Sequence, residues 1–186
     1  MADPLDAVAF GRSPLPTVLF DANVLFQAAA TRFLLGGARS GLFRPLWTIE
    51  IVDEARRNLT EAGRLGGLAA LEQNLQLIRD ALGNSASTRQ ANALTGTDKG
   101  DRHVLAAAIK HSVAVLVTDN VRDFGAAEAS AADVAIVTVR SLATHLAGTH
   151  AGAMARFIER EPPERFERFV ASLRRQFPEA IESLGL

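Results

Sequence analysis

The sequence predicts an α/β domain, a central parallel sheet flanked by helices. Three observations carry that expectation. Short apolar runs rich in β-branched residues, at 17–20, 113–117 and 134–139, have the length and composition of buried strands. Between them lie apolar stripes at helical spacing, the alternation that builds a parallel sheet. The first two runs each end in an acid-bearing turn, Phe20-Asp21-Ala22-Asn23 and Thr118-Asp119-Asn120. In open α/β sheets, ligands and metals collect at the carboxyl ends of strands.

Taken in order, residues 1–15 read as a loose lead-in containing Asp3 and Asp6, prolines and a glycine, with no apolar segment of signal-peptide type. After the first strand, Val24, Leu25, Ala28, Phe33 and Leu34 mark a helix from Asn23 to Leu35, with Gly36-Gly37 as its stop. The apolar piece from Leu42 to Trp47 leads to Thr48, a residue type suited to cap a helix. That helix places Ile51, Val52, Ala55 and Leu59 on one stripe. Leu68, Leu71, Leu75, Ile78 and Leu82, spaced 3, 4, 3 and 4, predict a further helix. The polar stretch from Asn84 to Gly96 reads as a surface loop.

An alanine-rich helix follows, burying Val104, Leu105, Ala108 and Ile109, with Asp98 placed to cap it and Asp101 in its first turn. From about His145 the character changes: residues 145–186 hold six arginines and six glutamates but no aspartate or lysine. Phe166, Phe169, Val170, Leu173 and Phe177 define an amphipathic helix begun at Pro162-Pro163, after a shorter one from Ala153 to Arg160. Its charges read as a solvated face laced with i, i+4 pairs. The expected organisation is therefore a lead-in (1–15), one α/β domain (16–144) and a helical C-terminal extension (145–186).

Composition narrows the chemistry. A net charge of -1 supplies no overall pull toward nucleic acid or anionic lipid, so a polyanion must be met by a local patch or through metal ions. The absence of cysteine excludes disulfides and thiolate metal sites and fits a cytoplasmic setting. No apolar run approaches the roughly 20 residues that span a membrane.

The acids Asp21, Glu54, Asp98, Asp101, Asp119 and Asp123 fall at strand ends, at a helix start or on an early helix. Right-handed crossovers bring the strand ends of a parallel sheet to one edge. Carboxylates meeting there at ~4 Å repel by about 4 kcal/mol per pair at the effective dielectric of a protein surface. Such a cluster persists with cations between its members or with raised pKa values. Oxygen donors without cysteine or clustered histidine favour Mg²⁺ or Mn²⁺. Each acid also has a plainer reading alone: Asp21 as a turn residue, Glu54 as a solvated helix acid, Asp98 and Asp101 as helix-terminus charges. His103 reads as an orienting or packing residue.

In combination the residues are more specific. Phe20-Asp21-Ala22-Asn23-Val24-Leu25, then Glu54 in Ile51-Val52-Asp53-Glu54-Ala55-Arg56-Arg57-Asn58-Leu59, then Asp98-Lys99-Gly100-Asp101-Arg102-His103, then Val117-Thr118-Asp119-Asn120-Val121-Arg122-Asp123-Phe124, resemble the PIN-domain ribonucleases, in particular VapC-type toxins of bacterial toxin–antitoxin pairs. The likeness spans residues 16–144. It implies a PIN-like fold in which Asp21, Glu54, Asp101 and Asp119 hold Mg²⁺ or Mn²⁺ and activate water to cleave RNA. By the same resemblance Asp123 is an accessory acid, and Asn23 and Thr118 orient the metal-binding carboxylates.

Lys99, Arg102, Arg122 and Arg56 are candidates for phosphate contacts. The implied partners are an RNA substrate, a cognate antitoxin protein inserting a segment across the acidic groove, and a second copy of the chain, with no membrane. The sequence departs from the family pattern at Lys99-Gly100, which replaces the usual proline-and-acid spacing, and in a preceding loop without a clear strand; both bear on Asp98. Two other classes compete. A non-catalytic PIN-fold binding module is disfavoured by the presence of all four acids. A receiver-like phosphoacceptor domain needs a paired-acid first strand and a lysine ending a later one, whereas the run 134–139 ends in Arg140.

Overall fold

The structure, a computed structural model, describes residues 3–77, 82–83 and 88–186. Strands β1 (Thr17–Phe20), β2 (Arg44–Thr48), β3 (Leu82–Gly83), β4 (Val115–Val117) and β5 (Ala135–Val137) form a parallel sheet in the order β3-β2-β1-β4-β5. Four strands make its body, and β3 is a two-residue edge. Leu19 stands in register with Leu46 on one side and Leu116 on the other. Val18, Leu19 and Phe20 are buried in succession, as are all three residues of β4. Helices on both faces explain why these strands read as continuous apolar runs rather than alternating ones. Pro45 pairs with Val18 but lies where β3 does not reach, because β3 joins β2 only at Trp47 and Thr48. A residue with no N–H is tolerated at such an unpaired edge.

The expected single helix from Asn23 to Leu35 is corrected twice. It is broken into α1 (Ala22–Leu25) and α2 (Ala28–Arg39) at Gln27, whose backbone leaves the helical region (φ -94°, ψ 76°). The Thr31 hydroxyl donates to the Val24 carbonyl at 2.7 Å across the break. Gly36-Gly37 is no stop but the buried middle of a helix–helix contact. A Cβ at Gly36 would overlap the Phe157 ring, so the glycine is what lets the helices approach. The stop is Gly41, at φ 75°. Its N–H bonds Ala38 O, and that of Leu42 bonds Gly37 O, the two bonds of a Schellman ending.

The short apolar piece before Thr48 is β2. Thr48 caps α3 (Ile49–Glu61) as expected, its hydroxyl accepting from Ile51 N at 3.3 Å. Ile51, Val52, Ala55 and Leu59 are the buried face of α3; burying each larger side chain contributes about 1.5–3 kcal/mol. The next helix, α4, is described over Leu65–Leu77. Ile78 lies outside the described residues, and Leu82 belongs to β3: pairing with β2 captured a position that matched the helical period by chance. The polar stretch expected as a loop contains α5 (Thr88–Asn92), while residues 84–87 lie outside the described ones.

Helix α6 (Arg102–Lys110) precedes β4, and α7 (Ala126–Ala131) precedes β5. The third strand ends at Val137, short of its expected end. Thr138 caps α8 (Val139–Thr149) by accepting from Ser141 N at 3.0 Å. Beyond it come α9 (Ala151–Glu159), α10 (Pro163–Gln176), with proline in its first turn, and α11 (Pro178–Ser183). Met154, Ile158, Phe169, Val170, Leu173 and Ile181 join the same buried cluster as the sheet, so the C-terminal helices share its core.

Two further expectations are corrected. The first residues are not loose: Leu5 and Phe10 are buried, and Gly11 N bonds Leu42 O at 2.8 Å. Nor is α10 laced with i, i+4 ion pairs, since none forms within it among the described residues. Glu161, four residues before Arg165, instead pairs with Arg32 of α2 at 2.6 Å, its side chain only 3% exposed. Among the described residues, no helix is long and apolar enough to cross a membrane.

Candidate functional site

The strand order sets the site. From β1 the chain moves outward to β2 and β3, then returns to the other side of β1 for β4 and β5. Connections after β1 and β4 leave in opposite directions, the arrangement that opens a crevice at strand carboxyl ends. Asp21 follows β1 directly, and Thr118-Asp119 follows β4.

Asp21 is only 3% exposed and is tightly held. Its Oδ1 accepts from Ala22 N (2.6 Å) as the cap of α1. Its Oδ2 accepts from the Thr118 hydroxyl (2.7 Å) and from Asn23 Nδ2 (2.8 Å). Asn23 also reaches Thr118 Oγ1 (2.9 Å), and its Oδ1 accepts from Asp119 N (3.2 Å), stitching the loops after β1 and β4 together. Burial raises the Asp21 pKa, the hydrogen bonds from Thr118 and Ala22 oppose it, and the nearby Glu54 charge raises it further.

Asp101 occupies the N-cap position of α6, not its first turn, yet makes no capping hydrogen bond. Its pKa is raised to about 6, first by burial and then by the charges of Asp21, Asp123, Asp98 and Glu54. Asp98 does not cap the helix through its side chain; its Oδ1 accepts from Gly100 N (2.8 Å) in a local turn. Its backbone N–H bonds Asp123 O (2.7 Å), which joins this loop to the turn at 121–123. Glu128 of α7 holds the loop from outside, accepting from Gly96 N and the Thr97 hydroxyl. Glu54, on α3, stands 3.5 Å from His103 Nε2, while His103 Nδ1 lies 2.8 Å from Gly100 O. The Glu54 carboxylate raises the His103 pKa against the effect of burial.

Asp21, Glu54 and Asp101, with Asp98 and Asp123, therefore share one electrostatic field. The Asp119 carboxylate has its own supports: Oδ2 accepts from Gln27 Nε2 (2.6 Å) and Oδ1 from Val139 N (3.2 Å), at the start of α8. Gln27 was missed by the sequence reading; its position four residues after Asn23 was the available signal. Of the candidate phosphate contacts, Lys99 and Arg122 are exposed and have no partner among the described residues. Arg102 donates Nε to Thr97 O (3.0 Å). Arg56 is committed to Glu72, through bonds of 2.7 and 3.2 Å, and to Asp53.

The donor set fits a hard divalent cation in charge and atom type, being all carboxylate oxygen. No three of these acids bring oxygens within 4.8 Å of one another; the one Asp/Glu/His group that does, among the described residues, is Asp3, Asp6 and His145.

A parallel α/β sheet carrying acids around the crevice at its strand ends defines a class of acidic-site α/β proteins. Within that class the assignment is direct: the PIN domain family model matches residues 17–122, more than half of the chain, and the chain belongs to that family. No curated protein and no solved structure matches it. PIN domains are generally nucleases and typically use Mg²⁺ or Mn²⁺.

Proposed function

We propose that the protein is a metal-dependent endoribonuclease in which Asp21, Glu54, Asp101 and Asp119 hold Mg²⁺ or Mn²⁺. The observation that carries this reading is Asp101. It sits at a helix N-cap without capping, in the combined field of four other acids, at a pKa of about 6. A carboxylate that makes no capping hydrogen bond and sits among four other acids is better explained as a cation ligand than as a purely structural residue. A bound divalent ion would supply a water of lowered pKa and neutralise phosphate charge.

The chain's own groups do the rest. Thr118 and Asn23 fix the Asp21 carboxylate, His103 supports Glu54, and Gln27 with Val139 N orients Asp119. Lys99 and Arg122 are free to meet phosphate, and Asp98 and Asp123 add negative charge at the rim. RNA cleavage should require Mg²⁺ or Mn²⁺ and vanish in Asp21→Asn and Asp101→Asn variants that still fold. Metal-independent cleavage, or full activity in both variants, would sink the mechanism.

The same reading makes the protein a toxin of the VapC type, restrained by a cognate antitoxin and working as a homodimer in the cytoplasm. Ile49 and Leu65, exposed by 54% and 73% at the starts of α3 and α4, offer apolar surface on the early helices for such contacts. Expression of the wild type should slow growth and the Asp21→Asn variant should not. Equal slowing would show that toxicity is not catalytic.

A further inference from the structure

A cleft of about 320 Å³ lies between α2, α4 and α10. Its walls include Ala28, Phe169 and three arginines, Arg32, Arg165 and Arg168, with Glu161 the one acid. Glu161, just before α10, pairs with Arg32 and forms no ion pair with Arg165. Arg165 and Arg168 are exposed and have no hydrogen-bond or ion-pair partner among the described residues. They lie three apart on α10 and so project from one face. Two guanidinium groups without an ion-pair partner thus stand over a largely apolar floor, in a chain whose net charge is -1.

The cleft is linked to the acidic site through the chain. Its wall begins at Ala28, the residue after Gln27, whose side chain holds Asp119. Unpaired arginines beside apolar surface suit a single nucleic-acid strand, with guanidinium groups on phosphate and bases or riboses on the floor. From this we infer that the α2–α4–α10 cleft binds the backbone of single-stranded RNA running away from the acidic site, with Arg165 and Arg168 as phosphate contacts. The inference rests on the nuclease reading for its substrate and assigns the C-terminal helices a part in holding it.

The test is fluorescence anisotropy of a labelled single-stranded RNA with the full-length Asp101→Asn protein, titrated with NaCl. Each lost phosphate contact removes about 0.7 from the slope of log affinity against log salt. Replacing both Arg165 and Arg168 by alanine should therefore flatten the slope by ~1.4, which shrinks the affinity gap about sevenfold between 50 and 200 mM salt. The Arg165→Lys, Arg168→Lys pair should restore the slope. An unchanged slope and affinity in the alanine variant overturns the inference. So does a variant that binds RNA normally but loses affinity for an acidic peptide such as oligoglutamate, since the occupant would then be protein. Wild-type protein that cleaves RNA while the slope stays fixed removes the cleft proposal alone. An arginine-dependent slope without any metal-dependent cleavage removes the nuclease reading and leaves the cleft.

Discussion

Replacing Asp101 by asparagine should stabilise the metal-free protein at pH 7.5 while abolishing its activity. The folded-state pKa of about 6 lies some two units above the ordinary 3.8, because burial and four neighbouring acids oppose ionisation. At about 1.4 kcal/mol per unit, ionising Asp101 at neutral pH costs ~3 kcal/mol at face value. The group is only partly buried, so solvent screening reduces this to about 1–2 kcal/mol. In a chain of this size that is a rise in Tm of roughly 3–6 °C.

The sign follows from linkage. A carboxylate whose folded pKa is raised penalises the folded state above that pKa, and the penalty fades as pH falls through about 6 toward 3.8. The advantage of Asp101→Asn should therefore be largest at pH 7.5 in EDTA and shrink steadily between pH 6 and 4. Saturating Mg²⁺ should reverse the order, since a ligand at a hundred times its Kd adds ~2.7 kcal/mol to the protein that binds it. Calorimetry across these conditions decides the matter. A lower Tm for the variant at pH 7.5 in EDTA, or a gain that does not change with pH, would refute the argument that these acids share one field.

Two further substitutions probe the frame around the site. Thr118→Val removes the hydroxyl that donates to Asp21 at 2.7 Å; a hydrogen bond to a charged group is worth about 1.5–3 kcal/mol, so urea midpoints should fall. Isothermal titration should also show Mg²⁺ binding weakened by roughly tenfold or more, as for supports of metal ligands elsewhere, and an unchanged midpoint and affinity would mean that Thr118 does not hold Asp21. Gly36→Ala places a methyl group into the Phe157 ring and should destabilise by about 1–3 kcal/mol in guanidinium melts. Adding Phe157→Ala should make the effect of Gly36→Ala disappear; a Gly36→Ala cost that persists without the ring would locate the strain elsewhere.

The parallel sheet was legible because its strands are buried on both faces, which leaves short β-branched runs in any reading of the chain. Asp21, Asp101 and Asp119 stood out as candidates in the sequence because each follows a strand or opens a helix. The stop of α2 was not. Gly36-Gly37 has the local signature of a helix end, and only the Phe157 ring from a helix over a hundred residues later explains glycine there. Leu82 was misread for a similar reason: one leucine in register with a helical stripe carries no local mark of the strand that β2 recruits. Glu161 and Arg165 looked paired at i, i+4 because sequence spacing cannot show that Glu161 meets Arg32 of α2 instead.

The chain's own order of residues thus determined where strands and helices form and which acids lie at their ends, since those are short-range consequences of burial period, capping and backbone freedom. Tertiary structure alone decided which acids feel one another. Strand order brings the loops after β1 and β4 side by side, and the thread of Asn23, Thr118 and Asn120 locks them there. The Asp98–Asp123 backbone bond draws two more acids to Asp101. Gln27 and the start of α8 hold the Asp119 carboxylate in place. Electrostatic coupling depends on distance through space, and distance through space is set by packing.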